Sequence, residues 1–178
     1  SLNEEQIKIL QSTIAQLKCI PGFGNIVEEL DSKNSHPIIL NFGATPDDNG
    51  KPSIGVCNNT FATNDIGLTS SLLKSDVKID NSKVDINSNE FKLIFAEEIF
   101  HSYDAKQNPF GFNLMRKIED CLGVEHDNRQ SEINANQKVK EIKPYIDNNY
   151  NCQTSTVSPS PIKIYNPYTP SRRFITTE

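Results

Sequence analysis

The sequence predicts an α+β fold, and three observations support it. Apolar residues recur at helical spacing over the first 19 residues. Short β-rich runs separated by turn formers occupy the stretch from 36 to 87. A long apolar helix follows at once, with more helices behind it. The chain has 178 residues, enough for one domain with a sizeable core. Only 35% of them are apolar, so a modest core and polar loops are expected.

Asn3 opens the first helix as a cap, and Gln6 three residues on completes a capping-box pattern. Ile7, Leu10, Ile14 and Leu17 form its apolar face, and Pro21-Gly22 stops it after residue 19. A second short helix places Phe23, Ile26, Val27 and Leu30 on one side. "HPIILNFG" (His36 to Gly43) and "PSIGVCN" (Pro52 to Asn58) read as strands, with Asn49-Gly50 as the turn of an antiparallel hairpin between them. A polar loop is expected from Asn59 to Lys74. "DVKID" (Asp76 to Asp80) and "KVDIN" (Lys83 to Asn87) alternate apolar and polar, as strands near a sheet edge do. Ser88 caps a helix running to about Asp104, and Asn108-Pro109 starts another that Gly123 ends. A last helix spans about Gln130 to Lys143 and is expected to stop at Pro144. From residue 148 to 178 the chain is rich in Ser, Thr, Pro and Asn, with one strand candidate at "PIKIYN" (Pro161 to Asn166). This segment reads as an extension packed on a domain of residues 1–147.

A net charge of −5 argues against nucleic acid as a partner, because a polyphosphate calls for clustered Lys and Arg. The run Lys138-Val139-Lys140-Glu141-Ile142-Lys143 is interrupted by Glu and reads as the wet face of a helix. No run of about 18 apolar residues exists, so no membrane span is expected. The N-terminus shows no signal-peptide pattern, and Ser1 in place of Met suggests a trimmed or excised fragment, with a lost targeting segment or a larger parent protein. A soluble protein, secreted or delivered as part of that parent, is the matching expectation. Cys19, Cys57, Cys121 and Cys152 form no C-x-x-C pair, and buried thiols are expected in preference to two disulfides. No nucleophile elbow and no phosphate loop is present.

The chemistry concentrates in "EFKLIFAEEIFHSYDAKQ" (Glu90 to Gln107). Residues four apart share a helix face, so Glu97 and His101 can address one cation, and Glu98 flanks them. Phe91, Ile94, Phe95 and Ile99 make the rest of the helix apolar. Carboxylates at the end of such a helix are costly unless solvated, hydrogen-bonded or bound to a cation. Glu98-x-x-His101 is also half of a di-iron motif, but the second half is missing. Later acidic or imidazole candidates for a third ligand are Glu132, His126 and Asp127. In the tail, Tyr165, Tyr168, Arg172 and Arg173 are candidates for reaching a cleft and stabilising an oxyanion.

"LIFAEEIFHSYD" followed by "SEINANQKV" resembles the zincin-like metallopeptidases of the gluzincin type, especially small bacterial, toxin-like domains. The resemblance covers about Lys83 to Ile142 and rests on those two motifs. It implies a small twisted sheet with an active-site helix and further packed helices. It implies Glu97 as the first metal ligand, Glu98 as the general base, His101 as the second ligand and Glu132 as the third. The chain departs from the pattern at two positions. Glu97 stands where His is usual, and Asn134 stands just before Ala135, where a metal-binding Glu is common. If Asn134 took the ligand position, Glu132 would face elsewhere. The implied cofactor is zinc, with manganese or iron as alternatives for an oxygen-rich donor set, or none in a degenerate site. The implied activity is peptide-bond hydrolysis by metal-activated water, on a peptide or protein substrate lying along an edge strand near Lys83 to Asn87. A toxin or effector of this kind would have an inhibitory or immunity protein as a partner. The rival expectation is an inactive zincin-like fold acting as a protein-binding module, with Glu97 paired to Lys or Arg instead of a metal.

Overall fold

Capping and periodicity set the N-terminal pair of helices. In the computed structural model, which describes residues 2–32, 35–46 and 53–150, Asn3 Oδ1 accepts from the Gln6 amide at 2.8 Å. The Gln6 side chain accepts from the Asn3 amide at 3.0 Å. This reciprocal capping box opens α1 (Glu4–Cys19), which buries Leu10, Ile14 and Leu17 as expected. After a turn that buries Ile20 and Phe23, α2 (Gly24–Asp31) adds Ile26, Val27 and Leu30 to the same core. Each such side chain contributes about 1.5–3 kcal/mol on burial.

Strands β1 (Ile38–Phe42), β2 (Gly55–Thr63) and β3 (Thr69–Ile79) form one sheet in the order β1-β3-β2. β3 runs parallel to β1 and antiparallel to β2, with Val77 opposite both Leu40 and Cys57. The expected β1–β2 hairpin is therefore corrected: the two strands occupy opposite edges, and Asn49-Gly50 lies outside the described residues. The hairpin joins β2 to β3 through the stretch expected to be a polar loop. Its turn is closed by Asn64, whose amide donates to Leu68 O at 2.8 Å and whose Oδ1 accepts from the Leu68 amide at 2.9 Å. Gly67, at φ +76°, takes the left-handed position that this turn requires. β3 wins the centre because it buries Ser75, Val77 and Ile79 on alternate positions and offers backbone partners on both sides. Two register shifts, after Thr60 and after Ala62, bulge the outer half of the hairpin and turn Leu73 to solvent.

The expected strand at Lys83 to Asn87 is replaced by turns. Asp80 Oδ1 accepts from the Ser82 amide at 3.1 Å and the Ser82 hydroxyl at 2.6 Å. Asp85 Oδ1 accepts from the Asn87 amide at 2.9 Å. Two side-chain-closed turns in succession take the backbone that a strand would pair, and they override the alternating pattern.

Ser88 Oγ then accepts from the Phe91 amide at 3.0 Å and caps α3 (Asn89–Gln107). Phe91 packs on Phe42 with ring centroids 5.9 Å apart, while Phe95 meets Leu10 of α1 and Val77 and Ile79 of the sheet. Asn108 and Pro109 start α4 (Pro109–Cys121) as expected, and Gly123, at φ +65°, ends it. α4 sets Phe112 against Phe61 of the hairpin at 6.2 Å and leaves Phe110, Leu114, Met115 and Ile118 exposed. A 3-10 turn (His126–Asn128) leads into α5 (Gln130–Asp147), which packs along α3. α5 runs through Pro144, the expected stop. Ile142 and Ile146 on either side are fully buried, and that anchoring offsets the hydrogen bond proline cannot make.

The wet-face reading of Lys138 to Lys143 fits surface ion pairs to Glu141 at 2.5 Å and Asp147 at 2.8 Å. Cys57 is a buried thiol, Cys121 an exposed one, and Cys19 is disulfide-bonded, so among the described residues the buried-thiol expectation holds for Cys57 only, and Cys152 lies outside them. The strand candidate at Pro161 to Asn166 and the tail residues Tyr165, Tyr168, Arg172 and Arg173 lie outside the described residues. No helix among the described residues is long and apolar enough to cross a membrane.

Candidate metal centre

Glu97 and His101 lie one turn apart on α3, and Glu132 reaches them from the first turn of α5. A carboxylate oxygen of each Glu and a ring nitrogen of His101 all fall within 4.8 Å of one another. His101 Nε2 stands 3.2 Å from Glu132 Oε2, and His126 Nε2 stands 3.4 Å from Glu132 Oε1. The choice on α5 thus resolves to Glu132. Asn134 turns away, donating to Asp104 Oδ2 at 3.3 Å and accepting from Gln130 at 2.8 Å. The reason is the helix phase. Ser131, Ala135, Ile142 and Ile146 form the buried stripe of α5, and residue 132 emerges at the margin of that seam. His126 joins the cluster through Glu132 and also acts on Glu97 by charge, and Asp127 lies 3.6 Å from His126 Nδ1.

Glu98 and His101 are 7% and 8% exposed, so charge here has little solvent to lean on. Burial drives the Glu98 carboxyl up to about 8; His101 opposes that shift, and the charges of Glu97 and Glu132 reinforce it. Glu97 is raised as well, chiefly by burial. Burial disfavours the His101 cation, but its hydrogen bond to Glu132 and the surrounding carboxylates raise it overall. Burial likewise opposes the Glu132 anion, and the His101 hydrogen bond and charge more than compensate. His126 and the charge of Arg116 also act on Glu132, while burial keeps Glu97 and Glu98 raised towards their neutral forms. Zinc ligands about 2.0–2.2 Å from the ion stand roughly 3.5 Å apart, within a small rotation of the spread seen here. The donor set therefore fits a divalent cation, and its two carboxylates also suit manganese or iron.

The cluster opens into a cleft of about 210 Å³ walled by β2 on one side and by α4 and the start of α5 on the other. Gly55 in β2 permits that wall: a Cβ there would fall on Glu98 Oε1 and lie 2.9 Å from Ile94 Cγ2. Beneath it runs a buried polar chain. Ser75 Oγ donates to Asn59 Oδ1 at 2.6 Å, and Ser102 Oγ donates to Ser75 Oγ at 2.8 Å. With both hydroxyl protons committed, His36 Nε2 is the donor to Ser102 at 2.7 Å, and its ring is neutral. This network gives His36 a structural role. Burial, and then the charge of Lys106, hold His36 down to about 4.

That depression fixes a sign. Unfolded chains protonate His36 near pH 6.5 and folded ones near pH 4, so its contribution is complete above pH 6.5 and is lost as pH falls towards 4. Allowing for solvent screening, the loss is on the order of 2 kcal/mol. Thermal unfolding of His36→Gln should be correspondingly less acid-sensitive across that window, and equal slopes for the two proteins would show that His36 does not control it.

Gly55, Arg116 and Arg129 line the cleft without having been singled out from the sequence. A glycine inside a strand marks close backbone approach, so Gly55 carried a readable signal. The arginines carried none. No family model, no curated protein and no solved structure matches this chain.

Proposed function

We propose that the chain is a metal-dependent peptidase with a zincin-like core. The observation that supports this best is the convergence of Glu97, His101 and Glu132 from two helices, with Glu98 buried beside them at the floor of a cleft. Glu97, His101 and Glu132 would hold the cation. When bound, it supplies Lewis-acid polarisation of a carbonyl and acidifies water. In its ionised form, which a bound cation would favour, Glu98 would accept the proton of the attacking water and return it to the leaving amine. β2 pairs with β3 on one side only among the described residues, so its other edge can take an extended peptide by strand addition. This moves the substrate edge from Lys83–Asn87 to β2.

The second reading, a cation-free binding module, draws on the direct His101–Glu132 pair and on Glu97 standing where His is usual. It also requires a Lys or Arg to neutralise Glu97, and none pairs with it among the described residues. The two readings separate by elemental analysis after incubation with zinc or manganese, together with cleavage of a casein digest or peptide library. Stoichiometric metal and chelator-sensitive cleavage are expected. A chain that takes up no metal and cuts nothing would overturn the peptidase reading. Gly55→Ala provides a finer check. Pushing Glu98 aside by about an ångström should lower turnover on the order of 100-fold, with metal content preserved. Unchanged turnover would show that Glu98 tolerates displacement.

A further inference from the structure

The proposed peptidase cleft contains two guanidinium groups that the catalytic assignment leaves unused. Arg116, on α4, is half-buried, and no ion pair or hydrogen bond engages it among the described residues. Arg129, just before α5, gives one nitrogen to Asp120 Oδ1 at 2.8 Å, and its Nε is buried without a partner. Asp120 lies one turn beyond Arg116 on α4, so this ion pair ties Arg129 to the helix that carries Arg116. Both line the cleft that contains Glu98, His101 and Glu132.

Arg116 acts on Glu132 by charge without a hydrogen bond, Arg129 Nε is buried without a partner, and a guanidinium presents a planar fork matched to two carboxylate oxygens. We propose that Arg116 and Arg129 form a carboxylate-binding subsite, so that the peptide held beside the metal centre carries an acidic group there. This deepens the peptidase reading and rests on it for the peptide's presence in the cleft. The carboxylate has two sources with the same chemistry: a Glu or Asp side chain, or the free C-terminus of the peptide. Glu132 on the floor disfavours an anion beside it, so a carboxylate is drawn to the arginine wall. Glu119, whose Oε1 accepts from the Gln130 amide at 2.8 Å, keeps an unpartnered Oε2 and forms no ion pair with either arginine.

The test is calorimetric binding of acetylated, amidated peptides Ala-Glu-Ala, Ala-Gln-Ala and Ala-Lys-Ala, and of Ala-Ala-Ala as free acid and as amide, to the zinc-treated chain. The Glu peptide, or the free acid, should bind about tenfold tighter than its neutral counterpart. Whichever of the two gains identifies the source of the carboxylate. Arg116→Gln should erase the gain, and Arg116→Lys should restore part of it, with thermal unfolding confirming that both variants fold. Equal binding of charged and neutral peptides overturns the proposal, as does a preference that survives both Arg116→Gln and Arg129→Gln. Binding is read without turnover, so the two readings fail separately. Acidic preference with no cleavage of any peptide would sink the hydrolase and keep the subsite. Cleavage indifferent to acidic residues would sink the subsite and keep the hydrolase.

Discussion

Glu98→Gln should leave the fold and the cation in place and remove between about 10² and 10⁴ of the turnover. The substitution is nearly isosteric, so the close approach of β2 at Gly55 is undisturbed. It also relieves the burial of a carboxyl beside Glu97 and Glu132, so unfolding temperature should hold or rise. Gln keeps an oxygen that can orient water, but it accepts no proton from it. Activity and stability are therefore expected to move apart, the pattern that separates a proton acceptor from a packing residue. Peptide cleavage measured beside thermal unfolding decides this, and undiminished cleavage refutes the role given to Glu98.

The second large effect is on the cation itself. Glu132→Ala removes the one donor contributed by α5 and should weaken zinc or manganese more than about 100-fold, beyond the loss typical of residues that only support a ligand. A cation at a hundred times its Kd stabilises the folded chain by about 2.7 kcal/mol. In a domain of this size that raises the unfolding temperature by roughly 5–10 °C. The wild-type chain should show this rise on titration with zinc, and Glu132→Ala should lose it at the same concentration. An identical rise in both proteins would place the cation elsewhere. Asn134→Ala provides the contrast, because Asn134 faces Asp104 and should leave the titration unchanged.

These residues also show how far a sequence can be read. Helix starts were legible because their determinants are local: Asn3 with Gln6, Ser88, and Asn108 with Pro109 each satisfy amide donors within one turn. Glu97 and His101 were legible for the same reason, since helical phase fixes their common face. Sheet pairing was not. Asn49-Gly50 outweighed the quieter Asn64–Gly67 turn, and the alternation of Asp76 to Asp80 read as an edge although β3 is central, because pairing is decided by which faces are buried. The turns at Asp80 and Asp85 hid behind an apolar–polar rhythm because carboxylates closing their own backbone leave no periodic trace. Glu132 over Asn134 depended on the buried stripe of α5, which only the packing of Ala135 against α3 establishes. Arg129 reaches α4 across a loop through Asp120 and lines one cleft with Arg116, a juxtaposition with no counterpart in spacing.

Cys57 adds a practical consequence. Its sulfur is enclosed in the cleft wall opposite Val77, and burial holds the thiol well above its usual titration range, whereas Cys121 stands in solvent. An alkylating pulse should mark Cys121 at once and reach Cys57 only when β2 lifts from α3. The protein therefore contains its own clock for breathing of that wall, and a tightly seated occupant should slow it.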